Sequence, residues 1–247
     1  MFVAASTRCF ADVPFAEACH QITDLEFDKI ELWMDEASDH LKPSLVAADS
    51  ERFFTQYREA TRLSPIAFSL AERPTAATFA GLAKTAKLMR VTEITIPASP
   101  LGTPFNTEID QLKELLVIAS QEGVRLSIKS EIGHLSEDPH TAVELCQAVR
   151  GLGITLDPSH YVAGPNRGKS YDQVFPYTYH THLRDTTPEQ LQVQIGLGEI
   201  DYSRLILQLQ KQNYNRALSI ELLPALGGEL NRALELRKLR MLLETLL

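Results

Sequence analysis

The feature that most constrains this chain is a regular alternation of short strand-type runs with longer helix-type runs. Eight runs, most of them rich in Ile, Val, Leu and Thr as buried parallel strands are, lie at residues 2–5, 29–33, 66–70, 93–97, 125–130, 154–156, 180–183 and 217–222. Amphipathic stretches separate many of them, at residues 50–62, 76–89, 108–122, 141–149 and 202–212, and a Leu-rich stretch at 229–247 follows the last run. The pattern predicts a parallel sheet covered by helices.

Two architectures satisfy this alternation, a closed barrel and an open doubly wound sheet. An open sheet would be favoured by a glycine-rich turn after the first strand, but residues 5–10 contain no glycine. The even number of strands and the length of 247 residues favour closure. We therefore expect a single (β/α)8 barrel with a closed parallel sheet, in which residues 1–247 form one domain.

Composition excludes several classes of partner. The formal net charge of −8 disfavours nucleic acid, whose binding rests on Lys and Arg contacts to phosphates, and it disfavours anionic membranes. There is no apolar run of about 18 residues, and residues 1–5 read as a strand rather than a signal peptide. Three cysteines far apart are typical of reduced thiols. We expect a cytoplasmic protein with a small-molecule partner, and homo-oligomerisation stays open.

Polar side chains lie late in several of the predicted strands, where barrel enzymes carry their chemistry and where the remaining interior is expected to hold branched apolar residues. Side chains two positions apart share a face of a strand, so these residues should converge at one mouth. Carboxylates and imidazoles together suit Mn²⁺, Mg²⁺, Co²⁺ or Zn²⁺. Trp33 could stack on a ring of a bound ligand or pack in the core. The late-strand residues are Glu31, Lys129, Glu131, Asp157, His160, His180, His182, Arg184, Asp185 and Glu221.

Four segments in the second half of the chain resemble motifs of the xylose isomerase-like barrel family, which includes sugar and sugar-phosphate isomerases and epimerases. They are Gly-Ile-Thr-Leu-Asp-Pro-Ser-His at 153–160, His-Thr-His-Leu-Arg-Asp at 180–185, Gly-Leu-Gly-Glu-Ile-Asp at 196–201 and Ala-Leu-Ser-Ile-Glu at 217–221. The order and spacing of the motifs are those of the family, while the first half of the chain agrees only in pattern.

The resemblance implies one divalent cation held by a Glu, an Asp, a His and a Glu on the last four strands. Matched by position, three of these ligands are Asp157, His182 and Glu221. It also implies substrate contacts near His160 and Arg184, and we add the late-strand residues His180 and Glu31, with Trp33, as candidate contacts. The implied reaction removes a proton beside a carbonyl of a carbohydrate or related compound; some members are lyases or dehydratases.

The fourth ligand position holds Lys129 instead of a glutamate. An ammonium about 4 Å from a dication is repelled by roughly 8 kcal/mol at an effective dielectric near 20, so the cation could be absent. Three alternatives remain open. Lys129 could replace the metal by pairing with Asp157 and Glu221, Glu131 could supply the missing carboxylate while Lys129 turns away, or a deprotonated Lys129 could act as base or Schiff-base nucleophile.

The sequence therefore predicts a sugar or sugar-phosphate isomerase or epimerase with an altered metal site. The expected catalytic residues are Glu221, Glu131 and Lys129. The main alternative is a metal-free or non-enzymatic ligand-binding barrel, for which Lys129 is the direct support. An apurinic-site endonuclease is disfavoured, because the resemblance to that class would require histidines on the third and fourth strands, which have none.

Overall fold

The strands close into a barrel in which each is parallel to its neighbours and the eighth pairs with the first. The computed structural model describes residues 1–228 and 230–247. The expected closed (β/α)8 barrel is confirmed. The strands are β1 (Phe2–Ser6), β2 (Lys29–Met34), β3 (Ser64–Leu70), β4 (Glu93–Pro97), β5 (Arg125–Lys129), β6 (Gly153–Leu156), β7 (Thr178–Leu183) and β8 (Ala217–Ile220).

Helices surround the barrel and begin where their capping residues predict. Asp138 accepts a hydrogen bond from the amide of Thr141, and Pro139 lies in the first turn of that helix. The side chain of Asn231 accepts the amide of Leu234 and so caps the last helix. The predicted stretch at 229–247 starts as a helix only at Arg232, and residue 229 lies outside the described part. The helices are α1 (Phe15–Asp24), α2 (Pro43–Ala48), α3 (Ser50–Ala60), α4 (Ala76–Leu88), α5 (Phe105–Gln121), α6 (Pro139–Ala148), α7 (Pro158–Val162), α8 (Tyr202–Lys211) and α9 (Arg232–Leu246).

The apolar core lies mainly between the barrel and its helices, where buried strand residues such as Ile94 and Ile128 belong to one continuous cluster with helix residues. The barrel interior, in contrast, is strongly polar. Thr155 Oγ1 lies 2.7 Å from both Thr95 Oγ1 and Ser127 Oγ, which links three strands by hydroxyl contacts. The expectation of a branched apolar interior is therefore wrong for this barrel, because the inward positions carry hydroxyl, imidazole and charged groups that pair with one another.

Gly153 shows how tightly one strand is packed. It is the first residue of β6, and a Cβ atom at this position would lie 2.1 Å from Cδ2 of Tyr179 on β7. An alanine would therefore force the Tyr179 ring to move.

Among residues 1–228 and 230–247, no helix has the length and apolar character needed to cross a membrane.

Candidate functional site

Four charged residues meet where the last four strands of the barrel end. Lys129 is the final residue of β5, while Asp157, Arg184 and Glu221 directly follow β6, β7 and β8. Lys129 Nζ lies 2.8 Å from Glu221 Oε2, across a closed barrel, so the contact must run through the interior. The strand ends therefore converge at one mouth, as their spacing in the sequence predicts.

Two fixed cations occupy the space between the carboxylates. Besides its bond to Glu221, Lys129 Nζ lies 3.9 Å from Asp157 Oδ2. Arg184 donates Nε to the Glu221 carbonyl at 2.9 Å and Nη2 to the Glu221 carboxylate, and Nη2 is also 2.8 Å from Asp157 Oδ2. Arg8 Nη1 donates to Glu221 Oε1 at 3.2 Å. Both oxygens of the Glu221 carboxylate are thus engaged by protein cations.

The charges explain why these carboxylates stay ionised although they are fully buried. Burial alone would raise the pKa of Glu221, but His182, Lys129, Arg8 and Arg184 hold that pKa well below its usual range. Burial likewise opposes ionisation of Asp157, and Arg184, His160 and Lys129 together lower its pKa. The mouth is therefore a network of ionised pairs rather than a set of neutral acids.

Asp157 also serves the local fold. It caps α7, where its Oδ1 accepts the amide of Ser159 at 3.1 Å and the Ser159 hydroxyl. This leaves Oδ2 pointing toward the charged network. Asp185 has a comparable local role, because its Oδ2 accepts the amides of Gly196 and Gly198 at 2.8 and 3.0 Å. A Cβ on Gly198 would lie 2.1 Å from Asp185 Oδ1, which explains the glycine-rich motif at 196–201.

His182 joins the mouth to a second cluster deeper in the barrel. Its Nδ1 is 3.6 Å from Glu221 Oε2, and its Nε2 is 2.8 Å from Glu31 Oε2. Nε2 of His180 contacts the same Glu31 oxygen. All three side chains are buried. His180 and Glu31, expected as substrate contacts, thus contact each other inside the barrel, and His180 also lines a pocket at the opposite end.

The rim of the mouth carries the more accessible groups. The side chain of Glu131 is 22% exposed and that of Arg8 is 23% exposed, whereas Asp157, His182 and Glu221 are fully buried. The Arg8 guanidinium lies 5.4 Å from the centroid of Trp33. The buried Nε1 of Trp33 has no hydrogen-bond partner in the part of the chain that the structure describes. Trp33 therefore lies beside the mouth, with an unused donor.

His160 lies between the rim and the charged network. Its Nε2 is 3.6 Å from Asp157 Oδ2, and its Nδ1 accepts the amide of Ile132 at 3.2 Å, which requires Nε2 to carry the proton. Burial lowers the pKa of His160 to about 4, so the ring is neutral near pH 7. It can donate one hydrogen bond but has no free lone pair for a proton.

Arg8 was missed by the sequence reasoning, although it belongs to the network. It lies in the short 3-10 helix Thr7–Phe10 directly after β1, where Ser6 Oγ accepts the Arg8 amide at 3.3 Å. A basic residue two positions after a barrel strand was the available signal.

The geometry of Lys129 excludes one of the three alternatives for this residue and disfavours another. Lys129 is only 4% exposed and points into the cluster, paired with Glu221 and Asp157. The alternative in which Lys129 turns away and Glu131 supplies the missing carboxylate is therefore wrong. Glu131 itself lies at the rim, beyond the end of β5. Nζ is already engaged by two carboxylates, which disfavours a Schiff-base role.

The residues present do not fit a divalent ion at the mouth. Ligand atoms of Asp157, His182 and Glu221 lie within 4.8 Å of one another. With residues 1–228 and 230–247 considered, neither Asp157 Oδ2 nor His182 Nδ1 has a well-formed hydrogen bond. These features resemble a metal site. However, Lys129 and Arg184 contact the same carboxylate oxygens that an ion would need, and one carboxylate ligand is missing. The cation position is taken by side chains of the protein.

Comparison with known proteins identifies the family. Residues 20–240 match the model of the xylose isomerase-like TIM barrel, so the chain belongs to this family. No curated protein matches the chain in sequence.

Solved structures of very different sequence share the fold. A D-psicose 3-epimerase determined in the presence of D-fructose has a TM-score of 0.77 at 13% identity, covering 100% of this chain and 99% of its own. The 3-keto-D-glucoside 4-epimerase from E. coli has a TM-score of 0.74 at 14% sequence identity, and the match covers 99% of each chain. A xylose isomerase-like TIM barrel protein from Mycobacterium smegmatis, in complex with magnesium, has a TM-score of 0.72 at 18% sequence identity. The match covers 98% of this chain and 97% of the other.

Proposed function

We propose that this protein isomerises or epimerises a sugar or sugar phosphate by moving a proton beside its carbonyl at the C-terminal mouth of the barrel. Family membership supports this, as do structural relatives that are epimerases of D-psicose and 3-keto-D-glucoside. The observation that carries the proposal is the pair of fixed cations, Lys129 and Arg184, held by Asp157 and Glu221 at the strand ends.

The cations supply what such a proton transfer needs most, which is stabilisation of a developing enediolate oxygen. Arg184 Nη1 is buried and has no hydrogen-bond partner among residues 1–228 and 230–247, so we assign it as the donor to a substrate oxygen. Removal of one comparable donor from an enzyme typically costs about 2.7–4 kcal/mol of transition-state stabilisation. Lys129 and Arg184 therefore do the electrostatic work without any step through a metal ion.

The proton requires a carboxylate that is not already bound by cations. Glu221 is a poor base, because its pKa is held far below the usual range and both of its oxygens are paired. We assign it to positioning Lys129, Arg184 and Arg8. Glu131 is partly exposed at the rim, with His134 Nδ1 at 3.9 Å, and is the better candidate base. One base moves a proton between neighbouring carbons on one face, which favours isomerisation.

Proton exchange with solvent tests this proposal without knowledge of the product. Wild-type protein is incubated in D₂O with D-fructose, D-psicose, D-tagatose and L-ribulose, and deuterium next to the carbonyl is followed by NMR. We expect incorporation into at least one sugar, a loss of at least about 100-fold in Glu131→Gln, and a similar loss in Lys129→Met. Glu144→Gln, on the exposed part of α6, is the matched control and should exchange like wild type.

A metal-free binding protein is the second candidate, because the central residues Asp157, His182 and Glu221 are fully buried. In this case the same sugars would raise the melting temperature of the protein but take up no deuterium. Binding without exchange for every sugar that binds would favour this candidate and contradict the enzymatic one.

A further inference from the structure

The deeper cluster of Glu31, His180 and His182 has no part in the proposed proton transfer. Ligand atoms of its three side chains lie within 4.8 Å of one another, and all three are buried. Each imidazole directs Nε2 toward Glu31 Oε2, with the His182 contact at 2.8 Å. Two imidazole nitrogens thus converge on one carboxylate oxygen between β2 and β7.

The charge of Glu31 is compensated differently from the charges of Asp157 and Glu221. Asp157 and Glu221 each have Lys129 and Arg184 within ion-pair distance, whereas the ion pairs of Glu31 within residues 1–228 and 230–247 are with His180 and His182 alone. Within the described residues 1–228 and 230–247, the buried Glu31 Oε1 has no hydrogen-bond partner. A nearby positive charge stabilises a buried carboxylate, and a cation bound beside the two imidazoles would supply it.

The arrangement of the rings fits a cation. The ring centroids of His180 and His182 lie 5.2 Å apart with planes at 88°. Two imidazoles bound tetrahedrally to one zinc ion, with Zn–N near 2.05 Å, place their centroids roughly 5.2 Å apart. Two histidines and one carboxylate are also a usual three-ligand set for zinc. The alternation of β7 sends both imidazoles to the interior.

A pocket lies beside the cluster at the other end of the barrel. His180 lines this pocket of about 370 Å³ among residues that begin the strands, including Phe2, Glu93 and Ala217. Within residues 1–228 and 230–247, the buried Glu93 Oε1 has no hydrogen-bond partner there. The cluster therefore has a cavity next to His180 on the side away from the ion pairs of Lys129 and Arg184.

We propose that Glu31, His180 and His182 form a zinc site inside the barrel, separate from the altered site at the mouth. It uses Nε2 of His182, whereas the mouth faces Nδ1 of the same ring. The ion joins β2 to β7 across the interior and fixes the His182 ring. This inference does not depend on the proposed sugar chemistry, because it concerns binding of zinc alone.

Zinc binding to the purified protein tests the site. The full chain is stripped with a chelator, dialysed against limiting Zn²⁺ and assayed by mass spectrometry of the metal and by competition with a chromophoric chelator. We expect about one ion per chain, with affinity lowered at least about 100-fold in His180→Asn and in Glu31→Gln. Asp157→Asn, which removes a carboxylate of the mouth and leaves Glu31, His180 and His182 in place, is the matched control and should change affinity less than about threefold.

X-ray absorption at the zinc edge of the wild-type protein keeps the test independent of variant folding. We expect two imidazoles around the ion, while a site at Asp157, His182 and Glu221 would contribute one. Failure of the wild-type protein to retain zinc would overturn the proposal. So would a single imidazole, or loss of zinc in Asp157→Asn with retention in His180→Asn.

Discussion

Replacing Lys129 by Met removes the ammonium between the two buried carboxylates while keeping a side chain of similar length. Breaking a buried pair by removing one partner costs about 3–5 kcal/mol. Glu221 keeps Arg184 and Arg8, so we expect the free energy of unfolding to fall by about 3 kcal/mol, at the lower end of that range. With a urea dependence near 3 kcal/mol/M, the midpoint of unfolding should drop by about 1 M.

Urea denaturation followed by the fluorescence of the single tryptophan and by circular dichroism measures this change. Trp33 is a suitable probe because it is buried beside Arg8 at the same mouth. A double-mutant cycle with Glu221→Gln should give a coupling of at least about 1 kcal/mol, since the two groups are 2.8 Å apart. A loss below about 0.5 kcal/mol with no coupling would refute the reasoning, because Lys129 would then not compensate buried charge.

Three further predictions follow from the same network and from the cysteines. The depressed pKa of Glu221 contributes stability that is present above about pH 4.5 and is lost as the pH falls toward the folded-state pKa. The free energy of unfolding should therefore fall more steeply with acid for wild type than for Lys129→Met. Parallel curves would count against the network. Lys129→Glu adds a carboxylate and removes the charge that repels a cation, so calorimetric titration should show tighter Mn²⁺ binding than in wild type. An unchanged affinity would argue against replacement of the metal by Lys129. Burial raises the pKa of Cys9, Cys19 and Cys146 to about 12, so a thiol reagent at pH 8 should label them only after unfolding, and rapid labelling of the native protein would contradict their burial.

The positions of the mouth residues could be predicted from the sequence because strand ends obey a simple rule. Parallel strands in a barrel bring their carboxyl ends together, so Asp157, Arg184 and Glu221 had to meet once β6, β7 and β8 were recognised. The presence of Lys129 in that set followed from the same argument. Its pairing with both carboxylates is the outcome that charge favours in a buried site.

Other features depended on information that periodicity does not carry. Glu131 shares a face with Lys129 only if the strand continues, but β5 ends at Lys129. Alternation places Glu31 and His180 in the interior, yet it does not say that side chains from β2 and β7 reach each other below the mouth. Arg8 lies in a 3-10 turn outside any periodic segment.

Protein cations, rather than a divalent metal, occupy the space between Asp157 and Glu221. A crystal soaked in Mn²⁺ and measured at the manganese edge tests this arrangement. We predict no anomalous peak within coordination distance of Asp157 Oδ2 and Glu221 Oε2, with Lys129 Nζ in contact with the latter oxygen. A peak bound by Asp157, His182 and Glu221, with the lysine displaced, would contradict the account.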